Sequence, residues 1–438
     1  MTNVTTALAC TFGLLGSVGA FENGPEHKVP GDTLRPTPSL RQGTQPQPSG
    51  AAVDGDPVDL GTGLYVRTHV DLAVWDTVPI IFSRTYRNRD DRSRPFGVGT
   101  NHSYGSFLVG DSDLAWADLI RPDGGRIHYR RTSPGTGLNG ARFENTDSPT
   151  EYLHSTLSYD GDDWTIQMTN GGRFTYPECS PAMNKACTVS GYQNPAGHRL
   201  RFVHDAQFNL SRVETEHGYW LQLAYDAQDR IIRAWTNYGD EVRYTYDTDG
   251  RLIRVIGANG DVSEYEYNAR NEMVMAKEPD LLLRNEFDES GRCIRQELRT
   301  SELGASGQPV ERQTAFTFAY TTDARGRITA ADVVRPNGTR RHVTFNAQGY
   351  VSSETVSGDG IERGVAYTRD DENQLTRTLT VSCGPGQRVR VASAVRRDEA
   401  QRFVSAPIDF PSGEDTLKAR LDRTCEDVLA TSARRRSK

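Results

Sequence analysis

The chain has 438 residues, length for two or three domains, with 51 Lys and Arg against 58 Asp and Glu and a formal net charge of -7. That acidic balance argues against nucleic acid, which is held by basic surfaces that release counterions from phosphates. Hydrophobic residues make up 36%, and no run approaches the ~20 apolar residues of a membrane-spanning helix. The 18 Tyr and 15 Phe are therefore a main source of buried area, at about 150–250 Å² per aromatic ring.

Ala7 to Phe21 is small and apolar enough for the core of an export signal, and Ala7-Leu8-Ala9-Cys10 loosely resembles a lipoprotein cleavage box. The first basic residue is Lys28, however, whereas an export signal begins with positive charge; a mis-assigned start codon is the competing reading. Residues 24–52, with Pro36, Pro38, Pro46 and Pro48, read as a linker that cannot bury a core and is expected to be disordered.

Residues 53–150 read as a β domain. Val78 to Ser83 is β-branched and apolar, and Asp123-Gly124-Gly125 is a hairpin turn. His102 beside Ser103, with Asp111 near in sequence, invites a catalytic reading. A triad is assembled from distant positions, so this adjacency has no mechanical meaning, and the structural reading is preferred.

Residues 151–395 carry a repeat. His204-Asp205, Tyr225-Asp226, Tyr246-Asp247 and Tyr267-Asn268 open similar seven-residue phrases at intervals of 21, and Gly218, Gly239 and Gly260 keep the same beat. Such a period denotes units that bury their apolar faces against their neighbours. Each unit has room for two strands of about 5–6 residues and two turns. Asp247-Thr248-Asp249-Gly250 is one turn cluster and Asn259-Gly260 is another, because Asn and Gly tolerate positive φ. Tyr219, Leu221, Leu223 and Tyr225 alternate onto one face, and Leu210, Ile231, Leu252 and Met273 mark the apolar site of the return strand. Arg212, Arg233 and Arg254 also recur; like charges repel across strands, so these arginines face solvent or meet carboxylates. Weaker copies follow at Phe287, Tyr320, Phe345 and Tyr367.

None of the six cysteines forms a Cys-x-x-Cys pair, which argues against structural zinc. Cys179 and Cys187 would close a small loop as a disulfide if the protein is exported, and Cys293 falls on the apolar return-strand position. In the tail, residues 396–438, a capping-like Ser412-Gly413-Glu414-Asp415 precedes Leu417, Leu421, Cys425, Val428 and Leu429 at helical spacing, with Arg434 to Arg436 at the end. This predicts one amphipathic helix.

The Tyr-Asp-x-x-Gly-Arg-Leu phrase, best kept at Tyr246 to Leu252, resembles the YD repeats of the Rhs (rearrangement hotspot) family, relatives of the animal teneurins. The likeness covers roughly half the chain. Asp56 to Gly63, Phe82 to Asn88, Phe96 to Tyr104 and Arg121 to Ile127 resemble the domain that precedes the repeats in Rhs proteins, which implies a role in nucleating the repeat sheet or plugging its end. In that family a self-cleaving core and a toxin domain lie downstream of the repeats. The sequence as read ends without either, so a truncated or orphan shell is expected.

The expected fold is all-β, a curled antiparallel sheet of repeated β-hairpins forming a partial shell, with a short C-terminal helix. The structural repeat residues are Tyr225, Asp226, Tyr246, Asp247, Gly250, Arg251 and Tyr267 with Gly218, Gly239 and Gly260. No Gly-x-Ser-x-Gly, Gly-x-x-x-x-Gly-Lys or His-Glu-x-x-His phrase occurs. No catalytic, cofactor or metal residue is therefore assigned. The reading is a non-catalytic scaffold of a toxin-delivery or cell-surface system, secreted or in the cell envelope, or cytoplasmic if the N-terminal segment is no signal. Its expected partner is a toxin domain, a secretion component or a surface glycan. The alternatives are a glycan-binding module using exposed aromatics such as Trp220 and Trp235, and an undetected hydrolase.

Overall fold

A computed structural model describes residues 53–110, 113–146, 150–177, 187–303, 309–358, 361–371, 373, 375–384, 387–397 and 403–405. Every regular element among them is a β-strand, and all the pairings are antiparallel. The expected C-terminal helix lies outside the described residues. So do the N-terminal segment, Cys179 and the side chain of Cys187, and with them the disulfide.

The chain divides into two compact units. In the first, whose described residues fall within Leu64–Arg284 and Thr300–Glu311, the repeats form a meander in which each strand pairs with the next. Leu210–Thr215 pairs with Trp220–Tyr225, then Ile231–Thr236, Glu241–Tyr246, Leu252–Ile256, Val262–Tyr267 and Met273–Glu278 follow in order. One face is apolar: Leu221, Leu223, Ile231, Ala234, Val242, Tyr244, Leu252, Val255 and Tyr265 are all buried. In the second unit the meander runs through Ile328–Val334, Arg340–Phe345, Val351–Gly358 and Ile361–Arg369, with Val333, Val343 and Val365 buried.

Strict alternation fails once per repeat. The register slips between Ala224 and Tyr225, Thr245 and Tyr246, and Glu266 and Tyr267. The extra residue lies on the return strand, so that Ile232, Ile253 and Val274 have no partner across the ladder. Each slip is a β-bulge, which locally disrupts the ladder and strengthens the twist.

A second layer covers the apolar face in the first unit. Val66–Val74 and Ile80–Arg87 form a hairpin, with Thr100–His102 added at its edge. Its Leu72, Val74, Ile80 and Phe82 are buried, and its strands lie against Leu210–Thr215, Ile231–Thr236 and Glu241–Tyr246. This part of the segment before the repeats thus packs on their face. Farther along, Phe107–Gly110, Trp116–Ile120 and Arg126–Arg131 join the sheet itself as consecutive strands.

Candidate functional site

Each letter of the repeated phrase has one physical task. The Tyr246 hydroxyl donates to the Ile231 carbonyl at 2.5 Å; Tyr225 does the same to Leu210 and Tyr267 to Leu252, both at 2.8 Å. In the second unit Tyr320 donates to Cys293 at 2.8 Å. In the first unit the acceptor is each time the first residue of the bulged return strand. Asp247 caps its own turn, its Oδ1 accepting the Asp249 and Arg251 amides at 3.0 and 2.9 Å. Gly250 supplies the positive φ of 81° that closes it. Arg251 donates to Asp247 at 2.7 Å and lies over the Tyr267 ring, 5.6 Å from its centroid, while Arg230 lies 4.6 Å from that of Tyr246. Gly218, Gly239 and Gly260 close the opposite turns at φ 86°, 94° and 86°.

The bulges leave backbone N–H groups that the ladder does not use, and the upstream residues take them. Ile231 donates to the Pro95 carbonyl at 2.7 Å and Met273 to the Tyr86 hydroxyl at 2.8 Å. In the second unit Cys293 donates to the Gly63 carbonyl at 2.8 Å. In return, Val98 donates to the Gly250 carbonyl at 3.0 Å. Buried backbone groups need partners, so the upstream segment completes what the repeats leave open.

At the centre of the first unit this interface is ionic. Arg84 pairs with Asp71 and donates to the Tyr265 hydroxyl at 2.6 Å, while the Tyr244 hydroxyl donates to the other Asp71 oxygen at 2.8 Å. Burial alone would raise the Asp71 pKa; Arg84, His69 and Tyr244 outweigh it and hold the carboxyl below its ordinary range. A cavity beside Arg84, lined by Arg67, His69, Tyr86, Tyr265 and Tyr267 among others, encloses room for about one water molecule. In the second unit Asp54 meets Arg335 at 2.8 Å and Arg341 at 3.2 Å, and Arg341 reaches Glu354 at 2.8 Å.

His102 is 4% exposed, packs against Phe82 and accepts the Tyr104 amide on Nδ1 at 3.2 Å. Burial, and then His204, push its pKa down to about 3. Ser103 donates to the Ile81 carbonyl at 2.9 Å and accepts the Ser83 amide at 3.2 Å. Neither side chain is presented to a substrate. Among the described residues no three His, Cys, Asp or Glu converge as a metal site. Cys293 is buried, its thiol pushed up to about 12 by burial.

Trp220 and Trp235 are not open platforms. Arg212 lies 4.6 Å from the Trp220 centroid and Arg233 4.3 Å from that of Trp235. These arginines also meet carboxylates, Arg212 at Glu214 (2.8 Å) and Arg233 at Glu241 (2.7 Å), while Arg254 approaches Glu264 at 3.6 Å. Sequence reasoning missed both the bulge amides and the Asp71–Arg84 pair. The signal available for the pair was a charged alternation, Asp71 and Arg84, within two strands otherwise rich in apolar residues.

Residues 142–356 match the family model described as Teneurin YD-shell, and residues 55–129 match a domain of unknown function, DUF6531. No curated protein matches the chain. Among solved structures, a crystal structure of TcdB2-TccC3 without its hypervariable C-terminal region is 9% identical at a TM-score of 0.35, covering 76% of this chain and 22% of that one. A crystal structure of TcdB2-TccC3 is 11% identical at 0.34, covering 79% and 23%. The Photorhabdus luminescens Tc holotoxin pore is 11% identical at 0.28, covering 75% and 24%. The chain spans under a quarter of the length of these structures, and the family assignment rests on the two family models.

Proposed function

Because the chain belongs to the YD-repeat proteins of the Rhs and teneurin type, we propose that it is a non-catalytic wall, a shell scaffold of a toxin-delivery or cell-surface system. The supporting observation is how the polar residues of the motif are used. Tyr246, Asp247 and Arg251 are all committed to bonds within the sheet, and the upstream segment takes the bulge amides at Ile231 and Met273. Such a wall is built for rigidity. Its cargo would be a toxin domain, and its setting secreted or at the cell envelope.

The division into residues 1–52, 53–150, 151–395 and 396–438 belongs to this proposal. On this reading 53–150 is a lining that the repeats need in order to be stable. The test is to express the chain in the cytosol beside a His102→Ala variant, scoring growth and turnover on hydrolase, transferase and nuclease panels. Neither should harm cells nor turn over any substrate. Toxicity or turnover lost in His102→Ala would overturn the scaffold reading.

A further inference from the structure

Among the described residues four Asn–Gly pairs occur, beginning at Asn139, Asn170, Asn259 and Asn337, and all four asparagines are exposed. Three of the pairs are locked. The Gly171, Gly260 and Gly338 amides donate to the Met168, Gly257 and Arg335 carbonyls at 3.0, 2.9 and 2.9 Å. Their asparagine side chains are tied down as well. Asn170 Oδ1 accepts the Gly172 amide at 2.8 Å, Asn259 Oδ1 the Asp261 amide at 3.1 Å, and Asn337 Oδ1 the Thr339 amide at 3.0 Å. Asn139 is held differently. Its turn closes through the Ala141 amide, which donates to the Leu138 carbonyl at 3.0 Å. Asn139 and Gly140 are therefore the two central residues of the turn. Neither the Gly140 N–H nor the Asn139 side chain has a hydrogen-bond partner among the described residues. Gly140 is exposed at φ 70°, and a Cβ placed there would meet nothing within 4 Å.

We propose that Asn139 is a self-modification site, the one of these four positions at which the folded chain converts to isoaspartate. The Gly140 amide nitrogen, having lost its proton to solvent base, attacks Asn139 Cγ. The new N–C bond closes a five-membered succinimide, and the side-chain nitrogen leaves as ammonia after taking a proton from water. Water then opens either ring carbonyl, leaving aspartate or, with the chain rerouted through the side chain, isoaspartate. Glycine in the second position permits the attack, because no Cβ obstructs the approach of its nitrogen. A hydrogen bond on that nitrogen opposes the attack by holding the proton and fixing the direction of the amide. A side chain bonded to the backbone amide two residues on opposes it again, by turning the carboxamide away. Both restraints act at Asn170, Asn259 and Asn337, and neither acts at Asn139. The product carries a new negative charge and an extra backbone carbon close before Ala141, which is fully buried. Conversion therefore alters the loop between Arg126–Arg131 and Arg142–Glu144. The site does not depend on the scaffold role.

The test ages the purified full chain in mildly alkaline buffer, beside a sample held unfolded in guanidinium chloride, and follows each Asn–Gly peptide by mass spectrometry. In the folded chain the Asn139 peptide should gain the mass of an amide-to-carboxylate exchange and split into two isomers, the isoaspartyl form in excess. Two hydrogen bonds must break before any of the other three pairs can react, so their conversion should lag by at least about tenfold. In the unfolded sample all four should convert at comparable rates. Asn139→Gln, a change at an exposed side chain, should remove the early product. Comparable conversion of all four pairs in the folded chain would overturn the proposal. So would earlier conversion at Asn170, Asn259 or Asn337, or an Asn139 peptide that survives in the folded chain while it converts in the unfolded one.

Discussion

Replacing Tyr246 by Phe deletes one oxygen and tests the reading of the whole repeat. The ring stays, with Arg230 over it, and only the bond to the Ile231 carbonyl is lost. A net hydrogen bond contributes about 0.5–1.5 kcal/mol, and an acceptor left unpaired in a buried place costs about 1–3 kcal/mol. Ile231 is fully buried and opens the bulge opposite Tyr225, so its carbonyl depends on this hydroxyl. A loss of about 1–2 kcal/mol is expected. Burial keeps the phenol well above its ordinary pKa, so it remains a donor at any working pH. Tyr246→Ala removes the ring as well and should cost about 3–5 kcal/mol, nearer the low end because the side chain is only half buried. Tyr225→Phe and Tyr267→Phe repeat the same geometry and should cost the same. Repeat arrays unfold through nearest-neighbour units and do not always do so in one step. Urea melts should therefore be read beside hydrogen exchange of the turn amides at Gly250 and Arg251. Three Phe variants within ~0.3 kcal/mol of the parent, below the usual net hydrogen-bond value, would refute the assigned role of the tyrosine.

Two glycines with nearly equal φ, 83° at Gly97 and 86° at Gly260, should behave differently. Gly97→Ala places a Cβ 2.2 Å from the Gly250 carbonyl and 3.1 Å from the Tyr246 ring, whereas at Gly260 an added Cβ meets nothing within 4 Å. Gly260→Ala should cost only the left-handed backbone strain of about 1–2 kcal/mol, and Gly97→Ala clearly more; equal drops in thermal midpoint would contradict the docking of Pro95 to Val98. His102, with a folded pKa of about 3 against about 6.5 unfolded, leaves the unfolded chain binding the extra proton between those values. Stability should then fall on acidification through that window by up to ~1.4 kcal/mol per pH unit. His102→Gln should flatten that slope, and an unchanged slope in pH-dependent urea melts would count against the buried neutral imidazole. Asp71→Asn leaves Arg84 buried without its carboxylate and should cost about 3–5 kcal/mol. The Asp71 contribution itself is present above the unfolded carboxyl pKa and is lost only as pH falls through the depressed folded value.

What the sequence discloses here is what recurs. Tyr246, Asp247, Gly250 and Arg251 each perform a local task that is performed again 21 residues away, so the period, the turns and the antiparallel meander are legible. The bulge is not, because Ile232, Ile253 and Val274 are ordinary strand formers and nothing in their identity marks them as extra. The docking of the upstream hairpin is also hidden, since many of its partners are backbone amides common to every repeat. Its register cannot come from the repeated residues at all. Equivalent units offer equivalent bulge amides, and a slip of one repeat would still satisfy them. The residues that break the symmetry stand at one position of the period, where Phe202, Leu223, Tyr244 and Tyr265 follow one another. The last two carry hydroxyls, and these are the groups that meet Asp71 and Arg84. Moved back by one repeat, Asp71 would face Leu223 and lose the Tyr244 hydroxyl, a burial of charge that costs several kcal/mol unless fully hydrogen-bonded. The buried ion pair thus acts chiefly through specificity, selecting one docking register among several that the repeat would otherwise make degenerate.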